Sequence, residues 1–217
     1  ENNNRYCSID LGVGNLATIC SNVLKPIIVN GKPLKSVNQY YNKQLAKLKS
    51  ELKNEKKTSK RIKSLTAKRN NKVNDYLHKS SRLIVNYLVS NNISTLVIGK
   101  NKEWKQNANI GKRNNQNFIQ IPHTRFIEML TYKCKLEGIT VIVKEESYTS
   151  KCSFMDNEPI KKHKVYLGKR VKRGLFQTKE KRLINADVNG SLNILRKVVG
   201  EFQYPIEVCS TPLVLTI

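Results

Sequence analysis

Apolar positions fall into short β-branched runs near the start of the chain and into stripes spaced by three and four in its middle. Residues 5–22, "RYCSIDLGVGNLATICSN", read as a strand, a glycine-containing turn and a second strand. "KPIIVNGKPLKS" follows, with Pro26 at a strand start and Asn30-Gly31 as a tight hairpin signal. The chain is therefore expected to open with a meander of about three antiparallel strands. From Val37 to Leu88 neither Pro nor Gly interrupts, and Val73, Tyr76, Leu77, Leu83, Ile84, Tyr87 and Leu88 form an amphipathic stripe. This predicts a helical hairpin over about 37–90, its later arm docked on the sheet.

"STLVIG" (94–99) and "GITVIVKEES" (138–147) are apolar runs of strand length. Between them Pro122 suits a first helical turn, and Phe126, Ile127, Leu130 and Cys134 mark a helical face that ends near Gly138. Strand, helix and strand imply a right-handed parallel crossover. "NADVNGSLNILRKVV" predicts a last helix after Asp187, with Leu192, Leu195 and Val199 on one side and Gly200 as its stop. The pattern defines an α/β fold: a mixed sheet with flanking helices and a long helical-hairpin insertion. Residues 150–185 form a basic, irregular insertion, and 201–217, with two prolines, read as a loosely packed extension.

Composition sharpens this picture. With 217 residues and 39% apolar content, the chain holds one core, or one domain with a large insertion, rather than two equal domains. Forty Lys and Arg against 16 acids give a net charge of +24, far beyond what solubility needs, so a polyanion is the expected partner. The cations cluster: twelve lie between Lys43 and Lys72, and ten between Lys161 and Arg182. Lys60, Arg61, Lys68 and Arg69 on the hairpin, and Lys169, Arg170, Lys172 and Arg173 in the insertion, are candidate phosphate contacts. Trp104 is a candidate for stacking on a base or for anchoring its loop, whereas His78, beside Leu77, reads as a packed or boundary residue. No apolar stretch is long enough to span a membrane, no secretion leader is evident, and five scattered cysteines without a CxxC pair argue against a disulfide framework. A reduced, cytoplasmic protein is expected.

Few acids survive in so basic a chain, so those at strand ends and helix starts stand out. Asp10 ends the first apolar run, Glu145 and Glu146 end the last, and Asp187 begins the final helix. Three carboxylates converging beyond strand C-termini suit divalent cations, which neutralise phosphate charge and activate water. Each acid alone has an ordinary explanation, a helix N-cap for Asp187 and solvated strand ends for the glutamates.

"SIDLGVGNLATICSN", "YTSKCS" and "NADVNGSLNILRK", in that order across residues 5–199, resemble the C-terminal nuclease half of the TnpB family, transposon-encoded RNA-guided DNA endonucleases related to the type V CRISPR effectors. The resemblance implies an RNase H-like (RuvC) fold over about residues 1–200, catalytic aspartates at Asp10 and Asp187, two Mg2+ ions (or Mn2+), and cleavage of DNA guided by RNA. Asn15, Asn189 and Asn193 belong to the same motifs and read first as turn or capping residues. The chain begins almost at the first catalytic strand, so the expected partners are DNA, a guide RNA and a separate N-terminal chain.

Two departures from the family pattern follow. The middle glutamate would stand at the end of "STLVIG", where this chain has Gly99. Glu103, four residues on in a basic loop, is one substitute; Glu146 and then Glu145, on the neighbouring strand about 4.8 Å away, are better placed, and strand phase favours Glu146 if the polar phase faces the groove. The family's four-cysteine ribbon is also missing: Cys152 is followed by Met155 where its partner would stand, and no cysteine lies between 153 and 187, which argues against zinc. Val165, Leu167, Leu175 and Phe176 are expected to close that ribbon instead. The expected function is a metal-dependent DNA endonuclease domain; the alternative is a nucleic-acid-binding remnant of a transposon protein with impaired catalysis.

Overall fold

The computed structural model describes residues 2–53, 56–100 and 120–217. Glu103 and Trp104 lie outside the described residues. Three strands open the chain: β1 (Tyr6–Leu11), β2 (Asn15–Ser21) and β3 (Ile27–Asn30), paired antiparallel in sequence order, as the alternation predicts. Two helices follow, α1 (Lys32–Ser50) and α2 (Lys60–Ser90), and then β4 (Thr95–Gly99), α3 (His123–Leu136) and β5 (Thr140–Lys144). β4 pairs parallel with β1, and β5 parallel with β4, giving the crossover inferred from the apolar runs. Beyond lie a small antiparallel ribbon, β6 (Lys169–Lys172), β7 (Leu175–Gln177) and β8 (Leu183–Asn185), helix α4 (Ala186–Val199), the short α5 (Ile206–Ser210) and β9 (Leu213–Leu215).

The main sheet runs β5-β4-β1-β2-β3-β9. Its two faces follow the period of two along β1. Cys7, Ile9 and Leu11 are buried with Val73, Leu77, Ile84 and Leu88 of α2 and Phe126 and Leu130 of α3. Ser8 and Asp10 face the opposite side, where α4 lies: Ser8 Oγ is 2.7 Å from the Ser191 carbonyl, and Ser191 Oγ donates to the Thr18 carbonyl at 3.0 Å. Serines and Gly190 let that helix approach the strands closely, because a Cβ at position 190 would stand 2.7 Å from Asp10 Oδ2.

Three local expectations change. Asn30-Gly31 is no hairpin turn: Asn30 Oδ1 accepts the Lys32 N–H at 3.0 Å, Pro33 occupies the first helical turn, and α1 starts there, five residues before Val37. Gly31 is needed for close approach, since a Cβ would lie 2.2 Å from the Val13 carbonyl oxygen. Residues 201–217 are not loose: β9 pairs parallel with β3, Cys209 is buried, and Tyr204 Oη donates to the Leu24 carbonyl. His78 is exposed rather than packed, while its carbonyl accepts the Lys133 ammonium of α3 at 2.9 Å.

Candidate carboxylate site

Asp10 stands near the end of β1, one residue beyond the last β1–β4 pair, Ile9 with Ile98. Asp187 is the second residue of α4, yet it does not cap that helix. Asn185 does, its Oδ1 accepting the Asp187 and Val188 N–H groups at 2.9 and 3.1 Å. A cap of this kind is worth about 1 kcal/mol, and here it also frees the aspartate's own oxygens. Asn15, at the head of β2, donates Nδ2 to Asp187 Oδ2 at 2.7 Å, and Arg170 of β6 reaches Oδ1 at 3.3 Å. Asn15 is thus an orienting group rather than a turn residue.

Gly99 faces the same side as Val97, toward α4. A Cβ built on it would lie 2.8 Å from Glu146 Oε2 and 2.4 Å from Ile194 Cδ1. The space beside the end of β4 therefore holds the Glu146 carboxylate, which arrives from the turn after β5. Glu145, in contrast, is exposed and accepts the Ser147 hydroxyl at 2.9 Å. Electrostatics tie the acids together. Burial, then the neighbouring charges of Glu146 and Asp187, hold the Asp10 carboxyl well above its usual range, while Arg170 pulls it back. Burial raises Glu146 to about 7, against the lowering charge of Lys197.

The turn that carries Glu146 is fastened to α4. Asn193 Nδ2 donates to the Thr149 and Cys152 carbonyls at 2.9 and 2.7 Å, and Asn189 bridges the Cys152 carbonyl and the Phe154 N–H, both at 2.9 Å. Both asparagines are fully buried, so their task is to link segments, not to cap. Lys197 Nζ donates to the Glu145 and Ser147 carbonyls. The motif "NADVNGSLNILRK" thus presents one acid at its head and fixes the other along its length.

Where a zinc knuckle would sit, Cys152 Sγ instead faces the Pro159 and Lys161 carbonyls at 3.4 and 3.6 Å. The loops are joined by Glu158, which is 2% exposed: its oxygens accept the Ser153 and Leu167 N–H groups at 2.7 and 2.8 Å, and its carbonyl accepts Arg196 Nη2 at 2.5 Å. The donor set does not fit zinc, since a single thiol is present and it is turned to carbonyl oxygens. Phe176 is buried and Leu175 partly so, but Val165 and Leu167 are 84% and 44% exposed, and so they do not close the ribbon. Sequence patterning missed this because Glu158, a charged residue among lysines, carries no hydrophobic signal.

A cleft of about 720 Å³ opens over Asp10 and Asp187, lined also by Asn15, Lys32, Lys35, Arg170 and Arg173 among others; Glu146 does not line it. Of the eight cations proposed from sequence, Arg170 and Arg173 reach this cleft; Lys60, Arg61, Lys68, Lys169 and Lys172 are exposed elsewhere. Arg69 is turned inward, its guanidinium donating to Asn38 Oδ1, Asn70 Oδ1 and the Gln120 carbonyl at 2.7, 2.9 and 2.7 Å, so it joins α1 to α2. Lys32 and Lys35 were hidden by the hairpin signal at Asn30-Gly31; Pro33 was the available clue to a helix start.

A mixed sheet with helices on both faces and acids near its strand ends defines an α/β protein. Residues 1–105 match the OrfB_IS605 family, described as a probable transposase, and residues 123–194 match the TNB domain of the Cas12f1-like proteins. The two matches together are consistent with a TnpB-family protein. Among solved structures it is similar to Cas12f1 in complex with sgRNA and target DNA (19% identity, TM-score 0.66, 89% of this chain and 50% of that one). It also resembles a CRISPR-Cas12f ternary complex (18%, 0.62, 88% and 38%) and AacC2c1 with sgRNA and extended non-target DNA (13%, 0.57, 78% and 22%). At these identities the likeness shows the fold, and the chain spans half or less of each of those proteins. A search of curated proteins finds no match. Among the described residues no helix is long and apolar enough to cross a membrane.

Proposed function

We propose that this chain is the nuclease domain of a divalent-metal-dependent DNA endonuclease, guided by RNA within the larger assembly, with Asp10, Glu146 and Asp187 as its metal-holding acids. The observation that carries the reading is the Glu146 carboxylate in the space left by Gly99, 2.8 Å from where a Cβ would be. Oxygen donors alone suit Mg2+ or Mn2+. Burial, and then the repulsion of Glu146 and Asp187, raise Asp10, and bound cations would relieve that repulsion. Among the described residues no three His, Cys, Asp or Glu side chains converge on a single ion position, while the charges of both Glu146 and Asp187 act on Asp10, which makes it the acid shared by the other two. When bound, such ions lower the pKa of water and neutralise charge on the phosphate. The chain's own residues orient the acids: Asn15 holds Asp187, and α4 holds the Glu146 turn. Lys32, Lys35 and Arg173 line the cleft where the phosphates of a DNA strand would pass.

DNA and a guide RNA are the proposed partners, supported by the nucleic acids in the complexes of the similar proteins. A second reading, a binding module without catalysis, is motivated by Gly99 itself. Incubation of single-stranded DNA with Mg2+ and either the wild type or Asp10→Ala separates them. Cleavage by the wild type alone supports the nuclease; binding without cleavage in both supports the module.

A further inference from the structure

We propose that Lys197 positions Glu146: its ammonium group, reaching from α4, fastens the backbone on both sides of the glutamate and so sets where that carboxylate stands. The inference rests on Glu146 being the third acid of the site. Lys197 Nζ is 2.8 Å from the Glu145 carbonyl and 2.8 Å from the Ser147 carbonyl. Those carbonyls belong to the residues immediately before and after Glu146. The Glu145 carbonyl belongs to the peptide that enters Glu146 and the Ser147 carbonyl to the peptide that leaves Ser147, while the Glu146 carbonyl between them accepts the Thr149 N–H and hydroxyl at 3.1 and 2.7 Å, so the ammonium ties both ends of a short span whose middle is closed by Thr149.

Lys197 also completes a series. Asn189, Asn193 and Lys197 are spaced by four, so they share one face of α4 and meet the chain from Glu145 to Phe154 in turn. Asp187 stands at the head of the same helix. One rigid element therefore sets the distance between two acids that lie 41 residues apart in sequence. A turn has no ladder of backbone bonds to do this. The charge matters as well as the reach: charged donors form stronger bonds than neutral ones, and a lysine has enough donors to serve both carbonyls at once.

The test uses the full 217-residue chain and two substitutions, Lys197→Met, which keeps the apolar stem, and Lys197→Arg, which keeps charge and donors. Mn2+ affinity is measured by titration without nucleic acid, and amide hydrogen exchange is followed over residues 147–152. Loss of an orienting partner typically weakens metal binding by roughly 10–100-fold. Lys197→Met is expected to show a drop of that size with faster exchange confined to 147–152, and Lys197→Arg is expected to restore both. Wild-type Mn2+ binding or unchanged exchange in Lys197→Met overturns the proposal, as does an arginine that rescues no better than methionine. Glu146→Gln is run in parallel. Normal Mn2+ binding in that variant refutes Glu146 as a ligand, and the exchange data then still decide whether Lys197 holds the turn.

Discussion

Two of the acids and the third are seated in opposite ways. Asp10 sits in a strand paired on both sides, and Asp187 in the first turn of a helix capped by Asn185, so ladders and helical bonds fix their Cα positions. Glu146 sits in a turn beyond the end of β5, where Asn193, Asn189 and Lys197 secure the chain from the side. Regular structure sets a residue's place through local backbone bonds; a turn needs partners distant in sequence. On the proposed reading, the comparison teaches how a carboxylate can change its place in the sequence: α4 fixes Glu146 beside Gly99 as a strand would fix an acid at position 99.

The largest way to break that arrangement is at Glu158. Its two oxygens join the segment after Glu146 to the ribbon, so Glu158→Ala leaves the Ser153 and Leu167 N–H groups without their carboxylate. Charge-assisted bonds of this kind contribute about 1.5–3 kcal/mol each, and a loss of about 3 kcal/mol or more is expected in chemical unfolding. EDTA should have no comparable effect on the wild type, because a carboxylate, not a metal, makes the join.

Next in size is a pH effect. Glu146 is raised to about 7 from its ordinary 4.5, so between those values the unfolded chain ionises while the folded one keeps its proton. Stability then falls as pH rises through this window and stays low above it. In the absence of divalent cations, Glu146→Gln should be more stable than the wild type by about 2–3 kcal/mol at pH 8, with the difference vanishing near pH 4. Thermal or urea unfolding at the two pH values measures it. Equal stabilities at pH 8 would mean that Glu146 is not seated as described.

Gly99→Ala sharpens the comparison from the strand side. The added methyl meets Ile194 Cδ1 at 2.4 Å and Glu146 Oε2 at 2.8 Å, and overpacking of this kind costs about 1–3 kcal/mol. It should also weaken Mn2+ binding, since the displaced group is the carboxylate. The smallest effect is expected on the cleft wall: Lys32→Ala with Lys35→Ala should lower the salt dependence of single-stranded DNA binding by about 0.7 for each phosphate that is no longer neutralised. An unchanged slope would remove α1 from the strand path.

Much of this was legible in the residues. The alternation in "RYCSIDLG" places Ser8 and Asp10 on one face, and the apolar runs at 94–99 and 138–147 specify parallel neighbours, so β1, β4 and β5 follow from local pattern. Asp10 and Asp187 stood out because acids are scarce in a chain of charge +24. Strand phase favoured Glu146 over Glu145, and Glu146 does turn inward, although it lies past the end of β5, where tethers to α4 rather than alternation direct it. What stayed hidden shares one cause. The bonds of Asn15 with Asp187, of Glu158 with Ser153 and Leu167, of Arg69 with Gln120 and of Tyr204 with Leu24 are polar pairings between separated segments. Hydrophobic periodicity records which face is buried, not which side chain crosses to which carbonyl.

The most direct test of the relocated acid is a paired substitution, Glu146→Gln and Glu145→Gln, assayed for Mg2+-dependent cleavage of DNA alongside the wild type in whatever assembly cleaves. Glu146 shares the Asp10 side of the fold and Glu145 faces solvent, so Glu146→Gln should lose cleavage while Glu145→Gln keeps it. Full activity in Glu146→Gln would contradict the account.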